Sequence, residues 1–136
     1  MLVDGAGVPL AIVATGANRH DVSQLEAVLD SIIIKRPDIF EHPQHLCLDK
    51  GYAGEPALEA VVLRGFIPHI RSRGEEKTER IHNRDHKARR WVVEVSHSWI
   101  NRFRKLLVRY EKLTRSYLGL LMFACAFIAF RKAIII

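Results

Sequence analysis

Cysteine is scarce in this chain: Cys47 and Cys125 stand far apart, with no Cys-x-x-Cys pair. That excludes a disulfide framework and a zinc ribbon, and a reducing, cytoplasmic setting fits two unpaired thiols. No secretory leader is legible at the start of the sequence. Long hydrophobic runs are lacking too. The longest, "YLGLLMFACAFIAF" at 117–130, is 14 residues between Arg115 and Arg131, short of the roughly 18 to 20 that span a bilayer. It is expected to form a buried core helix over 116–132 rather than a membrane anchor. Internal repeats and low-complexity tracts are absent as well.

What remains is the composition of a folded protein, 49% apolar and 26% charged, and 136 residues suit one domain. The net charge of +6 is regional: residues 71–115 hold 14 Lys and Arg against 6 acids, so the rest of the chain is slightly acidic. Concentrated positive charge fits phosphate backbones, because neutralising them releases condensed counterions. A solvated helix face would look the same by charge alone.

The pattern along the chain alternates. Two apolar runs around Gly5-Ala6-Gly7 predict a strand, a tight turn and a second strand from Pro9 to about Thr15. Asp21 is a candidate N-cap for a helix carrying Leu25, Val28, Leu29, Ile32 and Ile33, which stops before Pro37. "HLCLD" at 45–49 predicts a short buried strand ending at Asp49. A helix follows from Gly54-Glu55-Pro56 to about Leu63, with Gly65 beyond its end, and "FIPHIR" gives a strand that Pro68 puts near an edge. Residues 72–86 lack an apolar period and predict an exposed loop. A long helix is expected over 87–112. The order predicts a mixed α/β fold with helices packed on a sheet, in which ligands gather beyond the carboxyl ends of strands.

In the long helix, Val92, Val95, Trp99, Phe103, Leu106 and Tyr110 form one apolar stripe. Glu94 falls nearly opposite it, with Arg90, His97, Asn101 and Lys105 within about 80°. Taken singly, Glu94 reads as an exposed acid paired with Arg90, and Asp49 as a turn former after a strand. Trp99 and Phe103 are expected to be buried in the stripe, while Trp91 lies at its edge and stays open as a stacking residue. His82 and His86 have i, i+4 spacing but no convincing third zinc ligand. His42 and His45 read as loop residues. His97, one turn after Glu94, has no role that spacing alone assigns.

Three stretches change the weighting. "LVDGAGVPLAIVATGANRHD", "LDKGY" and "RRWVVEVSHSWINRFRKLLVRYEK" together resemble the carboxyl-terminal half of the catalytic domain of bacterial insertion-sequence transposases of the DDE type, in order and over almost the whole chain. The resemblance implies a ribonuclease-H-like mixed sheet with flanking helices and an Asp, Asp, Glu triad that holds two magnesium ions. By the "LDKGY" match Asp49 is the second Asp, and by "RRWVVE" Glu94 is the triad Glu. The residue types suit two-metal phosphoryl transfer, which needs hard, ionised oxygen ligands. DNA is the implied partner, with Lys50, Arg90, Arg102, Arg104, Lys105 and Arg109 as candidate phosphate contacts. A bacterial, nucleoid-associated location follows.

The family's first Asp lies on a strand preceding "LVDG", so the fold is expected to lack its first strand here; Asp4 reads instead as a strand-end turn residue. Family members show Tyr seven before the Glu, Arg four before and Lys or Arg seven after, where this chain has Lys87, Arg90 and Asn101. The expected function is strand cleavage and transfer at insertion-sequence ends, with the chain inactive alone and completed by the upstream half of a split transposase. The alternative is a catalytically dead fragment that binds DNA or a full-length transposase and regulates transposition.

Overall fold

The computed structural model describes residues 1–16, 18–70 and 91–134. They form a mixed α/β fold of two compact units, one of residues 1–15 with 91–134 and one of residues 16 and 18–70. The exposed loop expected over 72–86, and the start of the helix expected from 87, lie outside the described residues.

The first unit opens with β1 (Leu2–Val3) and β2 (Pro9–Ala11), an antiparallel pair. The turn between them is organised by Asp4, whose Oδ1 accepts the backbone N–H groups of Ala6 and Val8, both at 2.8 Å. Gly7 N–H also donates to the Asp4 carbonyl at 3.1 Å, so Asp4 is the turn residue its position implied. Gly7 has φ +84°, a conformation costly for any residue with a Cβ.

This hairpin sits against α3 (Trp91–Asn101) at a small residue. Ser96 is fully buried and its hydroxyl lies 2.7 Å from the Gly7 carbonyl and 3.0 Å from that of Val92. A Cβ on Gly7 would come within 3.1 Å of Ser96 Oγ and 3.2 Å of the Trp99 ring. The buried face of α3 is therefore Val92, Ser96 and Ile100, rotated from the expected stripe, because close approach of the Gly7 backbone requires a small side chain there.

The helix expected to continue to residue 112 ends at Asn101. Phe103 adopts an extended conformation (φ −80°, ψ 97°) and precedes a four-residue helix, α4 (Arg104–Leu107). Neither Gly nor Pro breaks it. The break lets Phe103 pack edge-to-face on Phe127 at 5.9 Å and turns Leu106 into the core. Tyr110, assigned to the apolar stripe, is 74% exposed in consequence.

α5 (Thr114–Ile134) is longer than the 116–132 expected. It buries Leu121, Ala124 and Ile128 with Ile100 and Leu106, and Ile12, Tyr117 and Leu120 close around them. It is a core helix on one face only, since Phe123 and Phe130 are more than half exposed. By length and composition alone α5 is apolar enough to cross a membrane, with about a fifth of that span, 22%, buried inside the protein.

The second unit contains a 3-10 turn (Asp21–Gln24) leading into α1 (Leu25–Asp30), then β3 (His45–Leu48), a 3-10 turn (Lys50–Tyr52), α2 (Glu55–Leu63) and β4 (Ile67–Ile70). β3 and β4 pair in parallel, His45 opposite Ile67 through Leu48 opposite Ile70, so β3-α2-β4 is a parallel crossover unit. The described strands thus form two separate pairs.

α2 buries Ala57, Ala60 and Val61 and packs against α1 and β4, and Leu25, Leu29 and Leu46 are buried in the same unit. Burying each of the larger side chains contributes roughly 1.5 to 3 kcal/mol. Gly65, φ +72°, ends α2 in a Schellman turn, its N–H on Val62 O and that of Phe66 on Val61 O. Arg36 lies 3.7 Å over the Phe66 ring and donates to the free carbonyls of Arg64 and Gly65. α1 stops at Asp30, where Ser31 Oγ donates to the Val28 carbonyl, and this leaves Ile33 93% exposed rather than on a buried helix face.

The Gly7–Ser96 contact makes a stability prediction. Ser96→Ala should cost about 1 to 2 kcal/mol and Gly7→Ala more, because Gly7→Ala adds a left-handed Cβ to a tight contact. Urea unfolding of both variants checks this; an unchanged midpoint for Gly7→Ala would contradict the packing described.

Candidate active site

Asp49 stands at the carboxyl end of β3, where the chain leaves the parallel pair toward α2. It caps the short turn that follows: Oδ1 accepts Gly51 N–H at 3.3 Å, and its carbonyl accepts Tyr52 N–H at 2.9 Å. The residue is exposed and its second carboxylate oxygen is not used in the turn. It is therefore a turn residue, as its position after the strand implied. Lys50 is exposed beside it.

Tyr52, half-buried in the same turn, has its hydroxyl pushed above its usual titration range, first by desolvation and then by the negative charges of Asp21 and Asp49. Asp49 and Asp21 thus both lie within electrostatic reach of one phenol. Sequence reasoning missed this grouping because 27 residues of helix, loop and strand lie between the two acids.

Glu94 is exposed on α3, on the side away from buried Val92, Ser96 and Ile100. Asn101 is exposed at the end of the same helix. Lys105 is not on the Glu94 face of one continuous helix as expected, because the break at Phe103 puts it on α4. Arg102, Arg104 and Lys105 are all exposed around this corner. Arg109 lies 4.9 Å over the Tyr117 ring and donates to the Thr114 hydroxyl, which holds its guanidinium against α5. Arg90 lies outside the described residues. Burial lowers the pKa of His97 and so favours the neutral imidazole.

Asp49 and Glu94 belong to different units, and each is described within its own. Among the described residues neither carboxylate enters an ion pair, and no group of three or more His, Cys, Asp and Glu side chains gathers as a metal cage. The donor chemistry nonetheless fits magnesium, which takes few protein oxygens and keeps several waters.

The family model for the transposase DDE domain matches residues 1–128, which include both carboxylates. The chain belongs to that family. It is 34% identical over 135 residues to a protein of Burkholderia cepacia whose name assigns it as the transposase for insertion sequence element IS402. That match covers 94% of this chain and 60% of the relative's length. No solved structure gives a significant match.

The Asp49–Tyr52 proximity is testable by tyrosine absorbance. Asp49→Asn should lower the titration midpoint of the Tyr52 phenol, since removing a nearby negative charge eases formation of the tyrosinate. Burial should keep it above the ordinary value of 10.0. An unmoved midpoint would place the Asp49 carboxylate away from Tyr52.

Proposed function

We propose that this chain is the later part of a DDE-type transposase catalytic domain of ribonuclease-H-like fold, acting on DNA at the ends of an insertion sequence. The observation that carries the reading is Asp49 at the carboxyl end of β3 in a parallel crossover unit, within a family match that also includes Glu94. Strand carboxyl ends are where such sheets put their ligands.

Asp49 and Glu94 are the second and third carboxylates of the triad, and the first Asp comes from a segment outside this sequence. Asp49 and Glu94 would hold two magnesium ions with that first Asp, and the ions would supply activation of a water or 3′-hydroxyl and stabilisation of the leaving oxygen. The task of the chain's own residues is positional. Asp49 is held by its turn hydrogen bonds, and Glu94 by the seat of α3 on Gly7. Lys50, Arg90, Arg102, Arg104, Lys105 and Arg109 hold phosphates, which fixes the strand without reading its sequence. With Asn101 where the family has Lys or Arg, the nearby exposed Arg102 and Lys105 take over that charge.

The partners are DNA and the upstream half of the transposase. The chain alone should not cleave DNA. Joined to its upstream segment it should cut element-end DNA with magnesium, and Asp49→Asn or Glu94→Gln should lower the rate at least about a hundredfold while DNA binding persists. Cleavage unaffected by either change would overturn the assignment. A joined protein of unsubstituted sequence that binds DNA without cutting it would favour a regulatory DNA-binding fragment.

Phosphate contacts make a separate prediction. The slope of log K against log salt should become shallower by about 0.9 for each cation removed among Arg102, Arg104 and Lys105. A slope that stays constant through all three substitutions would exclude this corner from the DNA footprint.

A further inference from the structure

Between the end of α3 and the last turns of α5 the first unit has an open cleft of about 420 Å3. Three aromatic rings line it, Trp99, Phe103 and Phe127, and the buried Ile128 forms part of its floor. Trp99 and Phe103 are half-buried and Phe127 is 44% exposed, so ring surface stays open to solvent even where Phe103 and Phe127 meet. The remaining lining residues are all cations: Arg102, Arg131 and Lys132.

The size falls within the range of small-ligand sites, roughly 300 to 1,000 Å3. The chemistry narrows the ligand. Phe103 and Phe127 meet edge to face at 88°, which offers a planar ring both a face and an edge to pack against. Lys132 Nζ stands 4.5 Å over the Trp99 ring, at the boundary between the apolar wall and the charged rim. Three cations and no acid on the lining call for an anion attached to the flat group. The helix dipole accounts for positive residues in the last turn of α5, but not for an open aromatic wall beside them. A second copy of the chain would bring the same three cations against themselves.

A planar heterocycle joined to a phosphate is a nucleotide. In duplex DNA the bases are stacked and paired inside, out of reach of such a cleft, whereas each unit of a single strand offers both parts at once. We propose that this cleft binds one nucleotide of single-stranded DNA, its base against Phe103 and Phe127 and its phosphate on Arg102, Arg131 and Lys132. The choice of DNA rests on the transposase reading above; the cleft itself rests on its own lining.

The test uses the full chain with Trp91→Phe, which leaves Trp99 as the sole tryptophan reporter. Its emission is followed during titration with a thymidylate 12-mer, a duplex of equal length and thymidine monophosphate. The single strand and the mononucleotide should shift Trp99 emission while the duplex does not. Phe127→Ala should weaken single-strand binding about tenfold and leave duplex binding unchanged, the size expected for one lost stacking contact. Arg131→Gln should weaken the mononucleotide. Emission unmoved by both single strand and mononucleotide, or single-strand affinity indifferent to Phe127→Ala, would overturn the proposal. A mononucleotide response without binding of either polymer would uphold the cleft and refute DNA as its source.

Discussion

One buried hydroxyl ties the beginning of the chain to the helix that carries Glu94. Ser96 has no solvent exposure and shares its proton between the carbonyl of Gly7 and that of Val92. A larger residue at 96 would push the hairpin off the helix, and an apolar one would leave a buried carbonyl short of a partner. Gly7 is constrained from the other side, by its positive φ and by the Trp99 ring. Because this seat fixes which side of α3 is buried, it also leaves Glu94 facing solvent.

The second unit reaches a comparable result by different means. Asp49 depends on where β3 ends, and β3 is held by the parallel ladder to β4 that α2 makes possible. α2 in turn is closed by Gly65 and Arg36 at one end and is pinned to α1 by Arg64, which bonds both Asp30 and Glu26. These exposed ion pairs individually contribute little, but they orient the helix. Both candidate carboxylates are thus exposed side chains on anchored backbone.

Much of this was legible in the residues. Pro56 and Gly65 mark α2 because each has a backbone reason to be where it is, and the strand at 45 begins and ends within a residue of expectation. Asp4 was readable as a turn residue for the same local reason. The break at Phe103 was not legible, since no residue there disfavours helix; packing of Phe103 on Phe127 overrides propensity. Ser96 was invisible in the stripe because the eye follows large apolar residues, and the contact partner lies 89 positions away. The open aromatic cleft was hidden likewise, as periodicity assigns Trp99 and Phe103 to a core that closes over them only halfway. Asp49 and Glu94 owed their assignment to the motifs around them, not to spacing.

The central claim is that Asp49 and Glu94 serve one ion cluster, and iron-mediated backbone cleavage reads it directly. With added hydrogen peroxide as oxidant and ascorbate to regenerate it, iron(II) occupying a magnesium site reduces the peroxide to hydroxide and hydroxyl radical, which cuts the chain nearby. The account predicts cuts beside both residues in the protein joined to its upstream segment, both suppressed by magnesium, and loss of the cut near Glu94 when Asp49 is changed to Asn. A cut near Glu94 that persists undiminished in that variant would contradict it.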